Sequence, residues 1–343
     1  MEIIRQKAYA RAGLIGNPSD GYNGKTISVT LRNFYATVTL YEWNEIEIIM
    51  TQNDNSRFRS VEDLVLDVQL HGYYGGIRLI KATIKRFVEY CKKMGYPLHD
   101  RTFSIRYETN IPRQVGMAGS SAIIVATLRC LMDFYHIQIP QHLQPSLVLS
   151  VEEGELGITA GLQDRVIQVY EGMVYMDFTS EKMQEENGLR YGKYESLPSS
   201  ETPPIYVAYK YEAGEPTEIV HNNLRHLWNT GDAKVHAAMK RFAEITDEAK
   251  IALKNHDWKT LSQLMDDNFS LRRSICQISS KQLEMIEVAK SMGVSAKFVG
   301  SGGAILGICP QDETSFQNLC QALEKIHCKV FRPQIFPPAP IPE

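Results

Sequence analysis

Period-two alternation marks the first part of the chain. Residues 2–12 read as a strand that ends in Gly13-Leu14-Ile15-Gly16-Asn17-Pro18-Ser19-Asp20-Gly21, a segment dense in turn formers. Residues 26–31 (TISVTL) and 35–42 (YATVTLYE) alternate and are rich in β-branched and aromatic residues, which predicts two antiparallel strands; 46–51 is a further candidate. The period then changes. After Tyr73-Tyr74-Gly75-Gly76, the apolar positions Ile77, Ile80, Ile84, Phe87, Val88 and Cys91 fall on one helical face, and Gly95 supplies the stop. Residues 102–109 (TFSIRYET) alternate again and run into Ile111-Pro112.

The next helix carries Ile123, Ile124, Ala126, Thr127, Leu128 and Leu131, apolar nearly all round, which predicts burial between layers. A second helix near 144–153 leads into the glycine-rich run 154–165, and Met173–Phe178 reads as a strand. Residues 180–203 are polar and contain Pro198 and Pro203, the best place for a lobe boundary. Beyond it come a strand at 205–211, helices at 232–256 and 258–271 with a break near Asn255-His256-Asp257, and a helix at 281–292. Strands at 296–299, 304–309 and 328–332 flank Gly300-Ser301-Gly302-Gly303. The tail FPPAPIPE is proline-rich and reads as disordered, and no internal repeat is present.

Composition narrows the classes. A chain of 343 residues, 43% hydrophobic and 22% charged, can bury a large core as two domains or one two-lobed unit. A formal net charge of −3 without long runs of like charge argues against a nucleic-acid partner. The six cysteines are scattered with no CxxC pair, so buried free thiols are expected rather than a disulfide framework or a zinc site. The N-terminus MEIIRQKAYARAG lacks the apolar core of a signal peptide, and no window approaches the roughly 18 apolar residues of a membrane span. The expectation is a cytoplasmic protein without a membrane partner; oligomeric state stays open.

Four segments carry candidate chemistry. In PRQVGMAGSSAIIVATLRC, Gly116, Gly119, Ser120 and Ser121 form a loop directly before a helix, where unpaired N–H groups and the positive end of the helix dipole suit the phosphates of ATP. It is not a Walker A loop, because no GK[ST] follows the glycines. In RAGLIGNPSDGYNGK, Arg11 and Asp20 bracket a turn, and Asp20 with Asn17 and Tyr22 is suited to sugar hydroxyls. Asp164 lies in a glycine-rich, otherwise apolar turn, where an unpaired carboxylate is costly, so it requires a cation or a hydroxyl proton. In KFVGSGGAILG, glycines allow the backbone to approach a phosphate or another strand.

In order and spacing, the four segments resemble the signature motifs of the superfamily named for galactokinase, homoserine kinase, mevalonate kinase and phosphomevalonate kinase. RAGLIGNPSDGYNG looks like its first motif, PRQVGMAGSSA like its phosphate loop, GLQDR like the segment with the catalytic aspartate, and KFVGSGGA like its third motif. RAGLIGNPSD, GYYGGIRL, TNIPRQVGMAGSSAI, ELGITAGLQDRV, NFSLRR and AKFVGSGGA further resemble the plant-type glucuronokinase branch, from about residue 5 to 335. Two departures stand out. Asn17-Pro18-Ser19 replaces the acidic-His-Thr triplet of galactokinases, which speaks against galactose, and Met117-Ala118 replaces the usual Leu-Gly of the loop.

The resemblance implies an α+β fold of two lobes, an N-terminal one of the ribosomal-protein type (1–195) and a ferredoxin-like C-terminal one (196–335), with the site in the cleft and a tail at 336–343. It implies ATP and Mg²⁺ as cofactors and a small-molecule acceptor. Asp164 would accept or orient the proton of the anomeric hydroxyl, with Arg11 beside it. Pro112, Gly116, Met117, Ala118, Gly119, Ser120, Ser121, Ala122 and Gly302 would contact the nucleotide, and Tyr73 and Tyr74 would border the adenine. Ser121 and Glu152 would hold Mg²⁺. Glu152 stands five before Gly157 and is preferred to Glu153. Asn17, Asp20, Tyr22, Gly161 and Gly303 would meet the sugar, while Arg272 or Arg273 would grip a uronate carboxylate. The implied activity is phosphorylation of glucuronic acid to glucuronic acid 1-phosphate. The alternatives are a galacturonate or heptose phosphate kinase of the same superfamily, or a catalytically silent nucleotide-binding regulator.

Overall fold

A computed structural model describes residues 3–49, 75–211 and 224–338. The N-terminal sheet is built on β2 (Lys25–Trp43), a single strand of 19 residues. Along one edge it pairs antiparallel with β1 (Ile3–Ile15). Along the other, its first half pairs with β5 (Met173–Asp177) and its second half with β4 (Thr102–Thr109). The sheet is completed by β3 (Glu47–Ile48) beside β4 and β8 (Lys193–Leu197) beside β5.

Two strands were expected where β2 is continuous. The polar pair Arg32-Asn33 looks like a turn in sequence but forms a bulge. The register passes from Tyr9 opposite Tyr35 to Ala10 opposite Leu31, leaving 32–34 as extra residues on β2. Arg32 is fixed there by the Tyr9 hydroxyl and Glu171, both at 2.7 Å. Likewise β1 runs on through Gly13-Leu14-Ile15, three residues further than the turn-former content suggested.

One face of this sheet is covered by α1 (Gly76–Met94), α2 (Gly119–Tyr135), α3 (Gln144–Ser150) and α4 (Leu162–Tyr170). The apolar helix α2 is buried as its composition demands: Ile124, Val125, Ala126, Cys130 and Leu131 have no exposed surface. Each such aliphatic side chain stabilises the fold by about 1.5–3 kcal/mol relative to exposure. Between α3 and α4 the chain makes a π-helical turn at Val151–Glu155, and β6 (Gln184–Glu186) and β7 (Leu189–Tyr191) form a separate hairpin.

The second sheet is antiparallel, in the order β10 (Lys297–Phe298), β11 (Ala304–Ile308), β9 (Ile205–Tyr209) and β12 (Lys329–Phe331). It is accompanied by α5 (Ala233–Lys254), α6 (Trp258–Ile275), α7 (Ser280–Ser291) and α8 (Glu313–Glu324); residues 224–229 are also helical. Asp232, Asp257 and Asp312 cap α5, α6 and α8 through their carboxylates. Asn255-His256-Asp257 is therefore a break that doubles as a start signal.

All six cysteines are free thiols, four of them buried. The start of the tail read as disordered is held: Ile335 is buried and Phe336 packs on the core, because an aromatic side chain outweighs the proline content around it. Residues 339–343 lie outside the described residues. Among the described residues, no helix is long and apolar enough to cross a membrane.

Candidate active site

The end of β1, the turn after it, the loop before α2, the first turn of α4 and the β10–β11 loop converge. Backbone bonds fasten them: the Arg11 N–H donates to the Met117 carbonyl at 3.3 Å, and the Gly13 N–H to the Val299 carbonyl at 2.8 Å. Gly116 is so close to the β10–β11 loop that a Cβ there would lie 2.8 Å from the Gly302 carbonyl oxygen. Glycine at 116, with φ of 76°, is thus required both by its left-handed backbone and by close approach.

Arg11 is the hub. Its Nε and Nη2 donate to Oδ1 and Oδ2 of Asp164 at 2.6 and 2.7 Å, a bidentate fork. Its Nη1 donates to the carbonyls of Gly116 and Val299. One side chain therefore ties its own motif to the other three. Asp164 sits in the first turn of α4, where the helix dipole favours an anion.

Asp20 occupies a short 3₁₀ turn at Ser19–Gly21 and accepts from the Gln163 N–H at 3.3 Å. Its carboxyl is pushed up to about 6, first by burial and then by the negative charge of Asp164. Gly161 lies against it, and a Cβ at that position would overlap the carboxylate.

The phosphate-loop geometry has a built opening. Ala118 holds a left-handed φ of 61°, and α2 begins at Gly119 without any side-chain cap, so no cap side chain takes up its first-turn N–H groups. Gly116, Ala118, Gly119 and Ser120 are half-buried, whereas Pro112, Met117, Ser121 and Ala122 are buried. Of the expected loop contacts, the buried ones offer backbone rather than side chain.

Glu152 is fully buried on the π-helical turn. Its Oε1 accepts from the Ser120 hydroxyl at 2.7 Å, and its Oε2 accepts from Nε of Arg165 at 2.8 Å and from Nη2 of the same residue. Glu153 instead is exposed and receives the Ala160 N–H at 3.4 Å. The wider π turn aims the first of the two glutamates at the loop. Ser121 donates to the Ala118 carbonyl at 3.3 Å, so the hydroxyl that meets Glu152 belongs to Ser120. The set of one carboxylate and the Ser120 hydroxyl fits Mg²⁺, which takes hard oxygen ligands and keeps water and phosphate in its shell; among the described residues no cluster of three metal-ligating side chains exists.

Three assignments change. Asn17 does not face an open subsite: its amide accepts from Lys297 Nζ at 2.7 Å and donates to the Phe298 carbonyl at 3.4 Å, because a buried amide must be satisfied within the fold. Arg272 is buried, and its Nη1 and Nη2 donate to the carbonyls of Gly300 and Ser301 at 2.6 and 3.0 Å, so its fork holds the third-motif loop rather than a ligand carboxylate. Arg273 lies exposed on α6, with no hydrogen bond or ion pair to the site among the described residues. Tyr22 is buried with its ring 5.5 Å from that of Trp228, and burial raises its hydroxyl to about 12. Gly302 and Gly303 have φ of 148° and 78°, and a Cβ on Gly302 would collide with Gln282. Tyr73 and Tyr74 lie outside the described residues.

Sequence reasoning passed over Arg165, Lys297 and Asn268. Lys297 Nζ donates to Gly13 O, Asn17 Oδ1 and Phe298 O at 2.7–2.8 Å, and burial pulls its ammonium well below the usual lysine range. Asn268 receives the Gly16 N–H at 2.7 Å and donates to the Asn17 carbonyl at 3.2 Å. A lysine inside the apolar run AKFV was the available signal; Asn268 opens the NFSLRR run, in which the two arginines drew the assignment.

The family model described as GHMP kinases N terminal domain matches residues 78–172, and that described as GHMP kinases C terminal matches residues 249–329. Glucuronokinase 1 of Arabidopsis thaliana is 42% identical over 330 residues, covering 94% of this chain and 89% of that protein. The D-glycero-alpha-D-manno-heptose 7-phosphate kinase of Campylobacter jejuni is 26% identical over 95% of this chain and 94% of its own. Among solved structures, Lactococcus lactis galactokinase complexed with galactose superposes with a TM-score of 0.75 at 16% identity, covering 97% of this chain and 94% of that one.

Proposed function

We propose that this chain, which belongs to the glucuronokinases of the GHMP kinase family, transfers the γ-phosphoryl group of ATP to the anomeric hydroxyl of D-glucuronic acid, giving glucuronic acid 1-phosphate and ADP. It is a phosphotransferase with a hydroxyl acceptor. The observation that carries the reading is the Arg11–Asp164 fork standing against the loop before α2.

In this reading, the acceptor hydroxyl lies at Asp164, which orients it and takes its proton as the O–P bond forms. Arg11 fixes the carboxylate and offers positive charge to the transferred phosphoryl group, whose negative charge is spread over its oxygens in the transition state. Backbone N–H groups of 116–121 cradle the phosphates, with Gly302 closing the far side. Glu152 and the Ser120 hydroxyl beside it would hold Mg²⁺, which when bound neutralises phosphate charge. Asp20 accepts a sugar hydroxyl, and the backbone at Gly161 and Gly303 borders the same subsite.

The 26% relative supports a heptose phosphate acceptor less strongly than the 42% relative supports glucuronate. The retained Asp164, Arg11 and Glu152 speak against a silent regulator. Purified protein with ATP and Mg²⁺ is assayed for ADP release on glucuronate, galacturonate, glucose, galactose and heptose phosphates. Glucuronate is expected to have the highest kcat/KM. Efficient turnover of a neutral sugar with none of a uronate would overturn the reading.

A further inference from the structure

Four cations stand around Asp20, Asp164 and the third-motif loop, and the terminal nitrogens of each are engaged within the fold, Nε of Arg272 alone among their donors having no partner among the described residues. Arg11 serves Asp164 and two carbonyls, Arg165 serves Glu152 and the Gly161 carbonyl, Arg272 serves Gly300 and Ser301, and Lys297 has three oxygen partners. An anionic acceptor needs a cation that these four do not offer, and it enters beside two carboxylates that repel it.

Arg225 differs. It lies in the helical stretch 224–229, with its guanidinium 5.3 Å from the centre of the Tyr22 ring. Its Nη2 stands 3.5 Å from where a Cβ on Gly21 would be, so it adjoins the Asp20 turn directly. Among the described residues its Nε is buried with no hydrogen-bond partner, and the buried Tyr22 hydroxyl has none within hydrogen-bond geometry either. An arginine with an unpaired Nε and a phenol close enough to feel its charge thus sit side by side, the phenol two residues from Asp20. Buried polar groups are almost always paired, and such a juxtaposition marks a place where a ligand supplies the missing partner. A planar fork is matched by a carboxylate.

We infer that Arg225, assisted by the Tyr22 hydroxyl, receives the C6 carboxylate of the sugar acid and sets the preference for a uronate over a neutral hexose. This assignment rests on the glucuronate reading and names the group that the two arginines of α6 do not provide.

The test is the ratio of kcat/KM on glucuronate to that on glucose, whose C6 is neutral, in the wild-type protein and in Arg225→Gln. The ratio is expected to fall by about 30- to 1,000-fold in Arg225→Gln, chiefly through KM for glucuronate, with Arg225→Lys in between because it keeps charge but loses the fork. Binding of ADP by each variant verifies that it is folded. Should Arg225→Gln not fold, the lysine variant carries the test alone, with a tenfold or larger fall in the ratio expected. An unchanged ratio in a folded variant, including equal losses on both sugars, overturns the assignment. Wild-type protein inactive on every uronate overturns the function reading, and this assignment with it.

Discussion

Arg11 and Asp164, 153 positions apart in the chain, meet through two parallel hydrogen bonds of 2.6 and 2.7 Å. The contact joins β1 of the N-terminal sheet to the first turn of α4, and the remaining nitrogen of Arg11 reaches both the phosphate loop and the third motif. If Asp164 handles the acceptor proton, Asp164→Asn lowers kcat by about 10²–10⁴-fold while nucleotide affinity stays close to wild type. Steady-state kinetics with a nucleotide-binding titration check this. Turnover within twofold of wild type would remove Asp164 from the proton-handling role.

Arg165 and Glu152 are both buried, so separating them leaves a charge without a partner. Arg165→Met is expected to destabilise the protein by about 3–5 kcal/mol, read from urea unfolding. Glu152→Gln keeps a hydrogen-bond acceptor and is expected to cost less stability, yet to raise the Mg²⁺ concentration needed for half-maximal rate. The two variants together separate the structural use of Glu152 from its use toward a metal.

Asp20 has a carboxyl raised from 3.8 to about 6, so its ionised form is disfavoured in the folded state. The sign follows: the unfolded chain loses this proton first, and stability falls as pH rises from about 4 to 6. Asp20→Asn removes the penalty. It is expected to stabilise the protein by up to about 3 kcal/mol above pH 6, with the gain shrinking below pH 6 and absent below about pH 4. Thermal unfolding from pH 4 to 8 measures it. The same variant should lose kcat/KM for the sugar, a trade of stability for binding.

Arg272 holds the Gly300 and Ser301 carbonyls through its fork. Arg272→Gln should therefore lower the melting temperature and reduce turnover of charged and neutral sugars by the same factor. A loss confined to uronates would return Arg272 to the role of carboxylate grip.

The helices were legible because apolar periodicity and capping residues act within a few positions: Gly95 stops α1, and Asp232 and Asp257 start α5 and α6. Strand boundaries were less so. Arg32-Asn33 resembles a turn until Tyr9 and Glu171, far away in sequence, fix Arg32 in a bulge.

By itself the sequence determined the loop before α2, the glycines of the third motif and the acids at 20, 152 and 164. Each is specified by local chemistry: a turn, a helix start, a carboxylate in an apolar run. Tertiary structure alone decided where the side-chain donors go. It turned Asn17 inward to Lys297, gave Arg272 to a loop, set Glu152 rather than Glu153 beside Ser120, and left Arg225 next to Tyr22 with Nε unpaired. The reason is physical. Backbone conformation follows from neighbours in the chain, whereas a buried polar group takes its partner from whichever segment the packing brings within 3 Å or so.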